Sequence, residues 1–270
     1  MKIFDCCIYL DEDLLLDLRF NILNDFVDYF VIVESSRTWQ NNKKKFNFNI
    51  KSFDKFSHKI IYIKVEDMPA GKNPWIRENF QRNCIMRGLL KASNEDLIII
   101  SDADEIPNPK KIVKFDLKKK YAVFEQKQYY YKLNLLNISN SIWRGSKACI
   151  KKYLKSPQWL RELKIKKRPL WRVDKIHLNY AIEDGGWHFC NLKNPKLLLF
   201  KYKNLCEYDD KYVFFNNINK SFLNEKVIEL NIKNQKDIIG RNDVFEKRNI
   251  DNSYPSYILK NIKKYKDWII

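Results

Sequence analysis

Apolar residues along the first 107 positions follow two patterns that alternate. In some stretches they form uninterrupted runs, which are typical of strands buried on both faces of a sheet. In others they recur at helical spacing along one face of the segment. The predicted strands are residues 2–10, 29–34, 59–65 and 97–101, and the predicted helices are residues 11–24 and 75–92. This rhythm predicts an α/β fold built on a doubly wound, mostly parallel sheet.

The pattern changes after Pro107. It predicts two longer strands that pair as a hairpin, a short helix, a segment of mixed character, a turn that enters a strand, and a final helix. In chain order these are residues 121–133, 141–150, 157–164, 171–180, 184–190 and 256–268. Gly and Pro are scarce and no linker or repeat is present, so we predict one domain over residues 1–270. Its ligand-binding half is 1–107, and 108–270 form a mixed-sheet half with a helical tail.

The chain carries 51 Lys and Arg residues against 33 Asp and Glu residues, a formal net charge of +18. This surplus suits an anionic partner, which means nucleic acid, an acidic membrane surface or a phosphorylated substrate. The lysines are scattered rather than gathered in one stripe, and the sequence contains no recognised nucleic-acid-binding motif. We therefore expect no nucleic-acid partner and keep a basic nucleic-acid-binding protein as the alternative class.

Six cysteines are present and none forms a C-x-x-C pair, which disfavours a structural zinc site. The N-terminal sequence has no secretory apolar core. No stretch reaches the roughly 18 to 20 apolar residues that a membrane-spanning helix needs. We expect reduced thiols, a cytoplasmic location and membrane contact of the peripheral kind only.

The fourth predicted strand runs directly into a cluster of acids, in the sequence LIIISDADEIP at residues 97–107. Asp102 and Asp104 are two positions apart, so in an extended segment they point to the same side. Carboxylates this close repel each other unless a cation lies between them. An all-oxygen site of this kind suits Mg²⁺ or Mn²⁺ with a substrate diphosphate. Ligands of parallel sheets bind beyond the carboxyl ends of the strands, where these acids lie.

Two other interpretations of the acids stay open beside the preferred metal site. One is a solvated loop in which Asp102 caps local backbone. The other is a phosphohydrolase of the haloacid dehalogenase type, which places a nucleophilic Asp after a strand in a D-x-D-x-[TV] motif. Ile106 occupies the last position of that motif here, and such nucleophiles usually lie near the N-terminus.

Several segments together resemble glycosyltransferase family 17, the β-1,4-mannosyl-glycoprotein β-1,4-N-acetylglucosaminyltransferase family. They occur in the same order and span nearly the whole chain. The segments are YFVIVESSRTW (29–39), WIRENFQRNCIMRGL (75–89), DLIIISDADEIP (96–107), DGGWHF (184–189), IIGRNDVFEKR (238–248) and YPSYILKN (254–261). The resemblance implies a GT-A fold, a D-x-D motif with a divalent metal, and inverting transfer of GlcNAc from UDP-GlcNAc to a sugar hydroxyl. Cys190 stands where Ser is usual in the family.

The resemblance also implies roles for individual residues. Asp104 would be the direct metal ligand, and Asp102 would contact the ribose or a metal-bound water. His188 would be a further metal ligand, the alternative being a structural histidine between two aromatic residues. The nucleotide base and ribose would bind after the second strand, at Glu34, Ser35 and Arg37.

Other candidates follow from side-chain chemistry. Inverting transfer needs a general base, and Asp184, with Glu183 as second choice, precedes a Gly-Gly turn that suits close approach of a ligand. Trp187 suits stacking on a sugar face, although tryptophan is more often a core residue. The helix at 75–92 presents a polar face toward the diphosphate, made of Arg77, Gln81 and Arg82; a helix-surface ion pair with Glu78 is the alternative role of Arg82.

We therefore expect a metal-dependent glycosyltransferase of a bacterial or viral type, with a UDP-sugar donor and a glycan or lipid-linked glycan acceptor. Its basic surface would suit surface or lipid-linked polysaccharide synthesis at the inner membrane face. A catalytically inactive scaffold that kept the GT-A fold is a further alternative.

Overall fold

Strands and helices alternate through the first 112 residues of a computed structural model, which describes residues 1–165, 180–208 and 220–270. In chain order the elements are β1 (Ile3–Tyr9), α1 (Asp13–Leu23), β2 (Tyr29–Ser35), β3 (Ile60–Val65), α2 (Pro74–Asn83), α3 (Ile85–Gly88), β4 (Leu97–Asp102), β5 (Glu105–Pro107) and α4 (Pro109–Ile112). All four strands and both helices predicted in this region are present.

The second half contains more strands and shorter helices. Its elements are β6 (Tyr121–Tyr130), β7 (Leu135–Asn137), β8 (Ile142–Trp143), β9 (Lys147–Ile150), α5 (Pro157–Glu162), β10 (Ala181–Cys190), α6 (Pro195–Asn204), α7 (Glu225–Lys233), β11 (Phe245–Lys247) and α8 (Ser256–Lys260). Turns of 3₁₀-helix lie at Ile50–Lys59, Lys151–Tyr153, Cys206–Tyr208, Lys220–Phe222 and Ile262–Trp268. The mixed segment predicted at 171–180 lies, except for its last residue, outside the described residues.

One sheet joins both halves of the chain. Strands β3, β2, β1 and β4 lie side by side and parallel. Beyond β4 the sheet becomes mixed, because β9 is antiparallel to β4 and β6 is antiparallel to β9. Strand β10 runs parallel to β6 and antiparallel to β5. The predicted α/β class with a Rossmann-like sheet and a mixed second half is confirmed, and the carboxyl ends of β1, β2 and β4 meet at one edge.

The parallel strands are apolar throughout because both of their faces are covered. Along β4, Ile98 and Ile100 pack in a core with α3, whereas Leu97 and Ile99 pack in a core with α1. All four side chains are fully buried. Continuous burial explains why these strands show no polar alternation, and it makes the polar residues that follow Ile100 conspicuous.

Two predicted helices are broken. The helix predicted at 75–92 divides at Cys84 into α2 and α3, and the one predicted at 256–268 divides at Asn261, whose backbone is not helical. Helix α2 begins after Asn73, whose side chain accepts a hydrogen bond from the Trp75 N–H, with Pro74 at the first helical position. Within the described ranges, no helix is both long and apolar enough to cross a bilayer.

Candidate active site

A cavity of about 190 Å³ lies beyond the carboxyl ends of β1, β2 and β4, and we call it the first cavity. The three strands contribute the residues at their ends, α2 forms one wall, and the end of α6 with the following turn forms another. The lining side chains that carry polar groups are Tyr9, Glu12, Ser35, Arg37, Thr38, Trp39, Lys44, Glu78, Gln81, Asp102, Asp104, Lys201, Asn204 and Glu207. This is the position that parallel-sheet topology favours for a ligand.

The acidic turn after β4 is held from below by a buried arginine on α1. Arg19 is fully buried and forms a two-pronged ion pair with Asp5 of β1. Its remaining guanidinium nitrogen donates to the backbone carbonyls of Asp102 (3.3 Å) and Glu105 (2.6 Å). Both ends of the turn are therefore fixed to the sheet, which presents the carboxylates between them in one orientation.

Both carboxylate oxygens of Asp102 are engaged by arginines. Arg82 of α2 lies 3.1 Å from Oδ1 and Arg161 of α5 lies 2.7 Å from Oδ2. Burial by itself would raise the pKa of Asp102, but the two guanidinium groups outweigh it and hold the pKa below its usual value. Asp102, which the sequence suggested as a metal ligand, is thus an ion-paired anchor for two arginines at the cavity floor.

Glu105 is completely buried and belongs to the same ion-pair network, because it shares Arg161 with Asp102. Its carboxylate accepts hydrogen bonds from Arg161 at 2.7 and 3.0 Å, from the Trp143 indole at 2.6 Å and from the Asp102 N–H at 2.9 Å. Gly145 makes space for this carboxylate because it has no side chain: a Cβ there would lie 1.8 Å from a Glu105 oxygen. Glu105 therefore positions Arg161 and the turn rather than facing a ligand.

Asp104 faces a different set of groups from Asp102. His188 Nε2 lies 3.5 Å from Oδ1, and Lys201 Nζ lies 3.7 Å from Oδ2. Burial would raise the pKa of Asp104, but the two cations outweigh it and the pKa lies well below its usual range. Burial disfavours the charged form of His188 and by itself would lower its pKa, yet Asp104 raises that pKa to about 10. Of the two aspartates, Asp104 is therefore the one at which a metal ion can replace the neighbouring cations, His188 and Lys201.

Strand β10 delivers His188 to this point because residues two apart on a strand share a face. His188 and Cys190 both turn toward Asp104, and the ligand atoms of the three residues all lie within 4.8 Å of one another. Nδ1 of His188 is buried without a hydrogen-bond partner in the described part of the chain. A carboxylate, an imidazole and a thiol so close together fit a divalent metal ion, with Cys190 in the place that the sequence gave to Asp102.

Residues predicted to bind the nucleotide divide into two groups. Ser35, Arg37 and Gln81 line the first cavity. Glu34 points the other way along β2, is fully buried, and accepts hydrogen bonds from two backbone N–H groups, the Tyr62 hydroxyl and Lys44. Arg77 is also buried and donates to the backbone carbonyls of Trp39 and Gly71. Glu34 and Arg77 therefore hold the loops that flank the cavity.

The remaining predicted residues lie at a second cavity of about 530 Å³, lined in part by Asn108, Asp184 and Trp187. Asp184 precedes His188 by four residues and lies in a bulge of β10, where the register against β6 shifts between Ile182 and Gly186. Glu183 beside it is exposed. Trp187 is buried, and its indole donates to the Ser253 carbonyl at 3.0 Å. The structure thus separates Asp184, Glu183 and Trp187 from the acidic turn.

Several residues of the first cavity carried no sequence signal. Arg161 and Lys201 are two among many basic residues of the chain, and neither stands in a motif. Glu207 follows α6 and lines the cavity without an ion pair to any residue in the described ranges, and burial raises its pKa. Cys190 was visible only as a departure from the Ser usual in the family. The pairing of β10 with β5 and β6 brings Cys190 to the acidic turn, whereas α5 and α6 bring Arg161 and Lys201.

The model of glycosyltransferase family 17 matches residues 1–268 of this chain. The chain therefore belongs to glycosyltransferase family 17, and the family and the GT-A-type fold expected from the sequence are confirmed.

Individual relatives are more distant. The human β-1,4-mannosyl-glycoprotein 4-β-N-acetylglucosaminyltransferase is 34% identical over 103 residues, which cover 34% of this chain and 19% of the human protein. Among solved structures, HddC from Yersinia pseudotuberculosis is similar with 14% identity, a TM-score of 0.35 and coverage of 68% of this chain and 90% of that one. A glycosyltransferase involved in the glycosylation of the major capsid of PBCV-1 has 14% identity, a TM-score of 0.33 and coverage of 68% of this chain and 81% of that one. At these TM-scores nothing about function follows from the structural likeness.

Proposed function

We propose that this chain is a metal-dependent inverting glycosyltransferase that moves GlcNAc from UDP-GlcNAc onto a hydroxyl of a glycan. The observation that carries the proposal is the first cavity, in which Asp104 and Lys201 lie at the ends of the parallel strands. A cavity at that position suits a nucleotide, and a carboxylate beside a cation suits a metal-bound diphosphate. Family membership supports the transfer reaction, and the human relative's name supports GlcNAc as the sugar.

The donor's parts match the lining of the first cavity. Tyr9 and Trp39 offer aromatic surface to a nucleobase, and Ser35 and Thr38 offer hydroxyl groups to the ribose. Arg37 and Lys201 supply positive charge to the diphosphate. Arg82 stays beside Asp102 as a further cation at the cavity floor.

The metal, Mn²⁺ or Mg²⁺, would be held by Asp104 and His188. When bound, such an ion neutralises charge that develops on the leaving diphosphate. Other residues of the chain hold Asp104 and His188 in position for the ion. Arg19 fixes the acidic turn, and the Trp143 ring stacks on His188 with 5.0 Å between centroids. Because two arginines engage Asp102, Asp104 is the carboxylate that remains available to a metal ion.

The acceptor hydroxyl must give its proton to a base within hydrogen-bond reach. We assign this role to Glu207 in preference to Asp184 or Glu183, because Glu207 lines the same cavity as Asp104. Burial raises its pKa, which makes its carboxylate a better proton acceptor than an exposed one. Asp184 and Glu183 would act only on an acceptor that extends along β10 to the second cavity.

For the acceptor we propose a glycan of a surface or lipid-linked polysaccharide, built at the cytoplasmic face of a membrane. The support is the net charge of +18, which favours peripheral contact with anionic lipid. Sedimentation with vesicles of anionic and of neutral lipid tests this part separately. Binding to anionic vesicles that weakens with added salt is expected, and equal recovery with both lipids would contradict it.

The donor proposal is tested by the melting temperature of the purified chain with a panel of nucleotide sugars, in Mn²⁺ and in a chelator. A ligand that binds only the folded state raises the melting temperature. We expect UDP-GlcNAc with Mn²⁺ to give the largest shift and the chelator to reduce it. If no nucleotide sugar shifts the melting temperature with any metal, the transferase proposal fails and an inactive scaffold becomes the better description.

A further inference from the structure

We infer that Cys190 is itself a ligand of the metal position beside Asp104, which makes that position a mixed oxygen, nitrogen and sulfur site. Such a site takes thiophilic divalent ions, Zn²⁺ and Co²⁺, more tightly than Mg²⁺ or Mn²⁺. The inference rests on the proposed function for the biological meaning of the site. Its chemistry and its test stand on the three side chains alone.

The geometry brings three different donor atoms to one point. A carboxylate oxygen of Asp104, an imidazole nitrogen of His188 and the Cys190 sulfur lie within 4.8 Å of one another. Metal–ligand bonds of about 2.0 to 2.3 Å place two donors at most about 4.6 Å apart, so the three side chains need to draw together only by about 1 Å to share one ion. Asp104 and His188 are buried and Cys190 is half-buried, so the three donors form a recess rather than an exposed patch.

Backbone pairing holds the donors in this arrangement. The Phe189 N–H, between the two ligand residues of β10, donates to the Asp104 carbonyl at 2.9 Å. The Cys190 carbonyl accepts from the Tyr131 N–H, also at 2.9 Å. Because β10 is fixed on both sides, His188 and Cys190 cannot turn away without breaking the sheet. Two of the donors thus lie on a paired strand, and the third, Asp104, lies on the turn that Arg19 fixes.

The donor chemistry decides which metals the site prefers. Thiolate and imidazole are softer ligands than carboxylate, and they favour Zn²⁺ and Co²⁺ over Mg²⁺, which selects oxygen. Asp102 in place of Cys190 would have given only oxygen and nitrogen ligands, but its two oxygens face Arg82 and Arg161. Binding requires the Cys190 thiol and the protonated His188 imidazole each to lose one proton to solvent, with no change of oxidation state. Three protein ligands leave a fourth position for a substrate oxygen.

The other five cysteines are separated from the site or paired differently. All five are buried, and the one nearest the first cavity, Cys206, directs its sulfur to Glu78 at 3.2 Å. Cys206 thus provides a matched control: a thiol at the same cavity that is not near His188. A Cys206→Ser variant should leave metal binding at Asp104 unchanged.

The test is titration of the reduced, metal-free chain with Co²⁺ alone, followed by near-ultraviolet absorbance. Cobalt bound to a thiolate gives an intense charge-transfer band that oxygen and nitrogen ligands do not give. We expect the band in wild type and in Cys206→Ser, and its loss in Cys190→Ser. Serine is close to cysteine in size, and near-ultraviolet circular dichroism verifies that the variant is folded.

Affinities sharpen the result. Cys190→Ser should weaken Co²⁺ and Zn²⁺ binding roughly tenfold or more while changing Mn²⁺ binding little, because a hydroxyl is a hard ligand. His188→Gln should weaken the binding of Co²⁺, Zn²⁺ and Mn²⁺ alike. No band in wild type, or a band that survives in Cys190→Ser, would overturn the inference.

The outcome is separable from that of the proposed function, because cobalt binding is measured without any nucleotide sugar. If the band is absent but UDP-GlcNAc still stabilises the chain with Mn²⁺, the thiolate site fails and the transferase proposal stands. If the band is present but no nucleotide sugar binds, the site is established and the donor proposal fails.

Discussion

The two cavities open on the same sheet, yet they are built from different chemistry. The first is small and charged, with Asp102 and Asp104 facing arginines, a lysine and a histidine. The second is larger and combines amide, hydroxyl and aromatic groups with two lysines and two aspartates that form no cluster like the acidic turn. The first cavity can bind and neutralise phosphate charge, whereas the second offers hydrogen bonds and flat apolar surface.

The difference is visible along one strand, β10, whose successive residues serve different places in the fold. In the sequence DGGWHFC, His188 and Cys190 lie close to Asp104, which lines the first cavity, while Gly186 and Trp187 line the second. A motif that looks like one site in the sequence therefore serves two places in the fold. Groups that carry charge or bind metal collect at the first, and we place the chemistry there.

The largest expected effect compares a carboxylate from each cavity. Glu207→Gln should lower kcat about 10²- to 10⁴-fold, because it removes the base that lines the first cavity. Asp184→Asn should lower kcat far less, since Asp184 lies at the other end of β10. The measurement is UDP release in a coupled transfer assay at saturating donor, with Asp184→Asn as the matched control. A greater loss of kcat in Asp184→Asn than in Glu207→Gln would identify Asp184, the residue that the sequence suggested, as the base.

The next effect concerns the floor of the first cavity. Arg161→Met leaves the fully buried Glu105 without its cation, so we expect the free energy of unfolding to fall by about 3 kcal/mol or more. Arg144→Met, which breaks an exposed ion pair with Glu125, should cost at most about 1 kcal/mol. Urea denaturation measures both. Equal costs would show that the buried network does not hold the turn.

At the second cavity the backbone itself is the sensitive feature. Gly186 has φ +140°, and a Cβ there would lie 2.1 Å from the Ile106 carbonyl oxygen. Gly71 also has positive φ (+118°), but a Cβ there would meet no atom within 4 Å. Gly186→Ala should therefore destabilise the fold by at least about 2 kcal/mol more than Gly71→Ala. Similar melting temperatures for the two variants would mean that β10 and β5 can separate freely.

The smallest expected effect tests competition for Asp104. The Lys201 ammonium lies 3.7 Å from the carboxylate, where it opposes a second cation by repulsion. Lys201→Met should raise Mn²⁺ affinity roughly tenfold, about 1.4 kcal/mol, in calorimetric titration without nucleotide. It should weaken binding of UDP in a chelator, because the diphosphate loses a positive partner. Unchanged Mn²⁺ affinity would indicate that Lys201 and the metal do not compete.

The sequence predicted those parts of the molecule that local patterns determine. The parallel strands show as apolar runs because both faces are covered, and the acids after Ile100 stand out against that background. Ser35 and Asp104 line one cavity because strand ends of a parallel sheet share one edge, and Gln81 of α2 lines the same cavity.

Side-chain direction and long-range pairing were not predictable in the same way. Glu34 and Ser35 are neighbours in one motif, but the strand turns Glu34 into a buried hydrogen-bond network and Ser35 into the cavity. Arg161 and Lys201 reach the acids only through contacts between α5, α6 and the sheet, and no local spacing encodes those contacts. One basic residue among 51 carries no signal until the fold selects it.

The most direct test of the account is calorimetric titration of UDP-GlcNAc, in the presence of Mn²⁺, into wild type, Asp104→Asn and Asp184→Asn. Placing the donor and its metal in the first cavity predicts that Asp104→Asn weakens donor binding about a hundredfold or more. Asp184→Asn should remain within about threefold of wild type. If instead Asp184→Asn abolishes binding and Asp104→Asn does not, the donor lies in the second cavity and the central claim is contradicted.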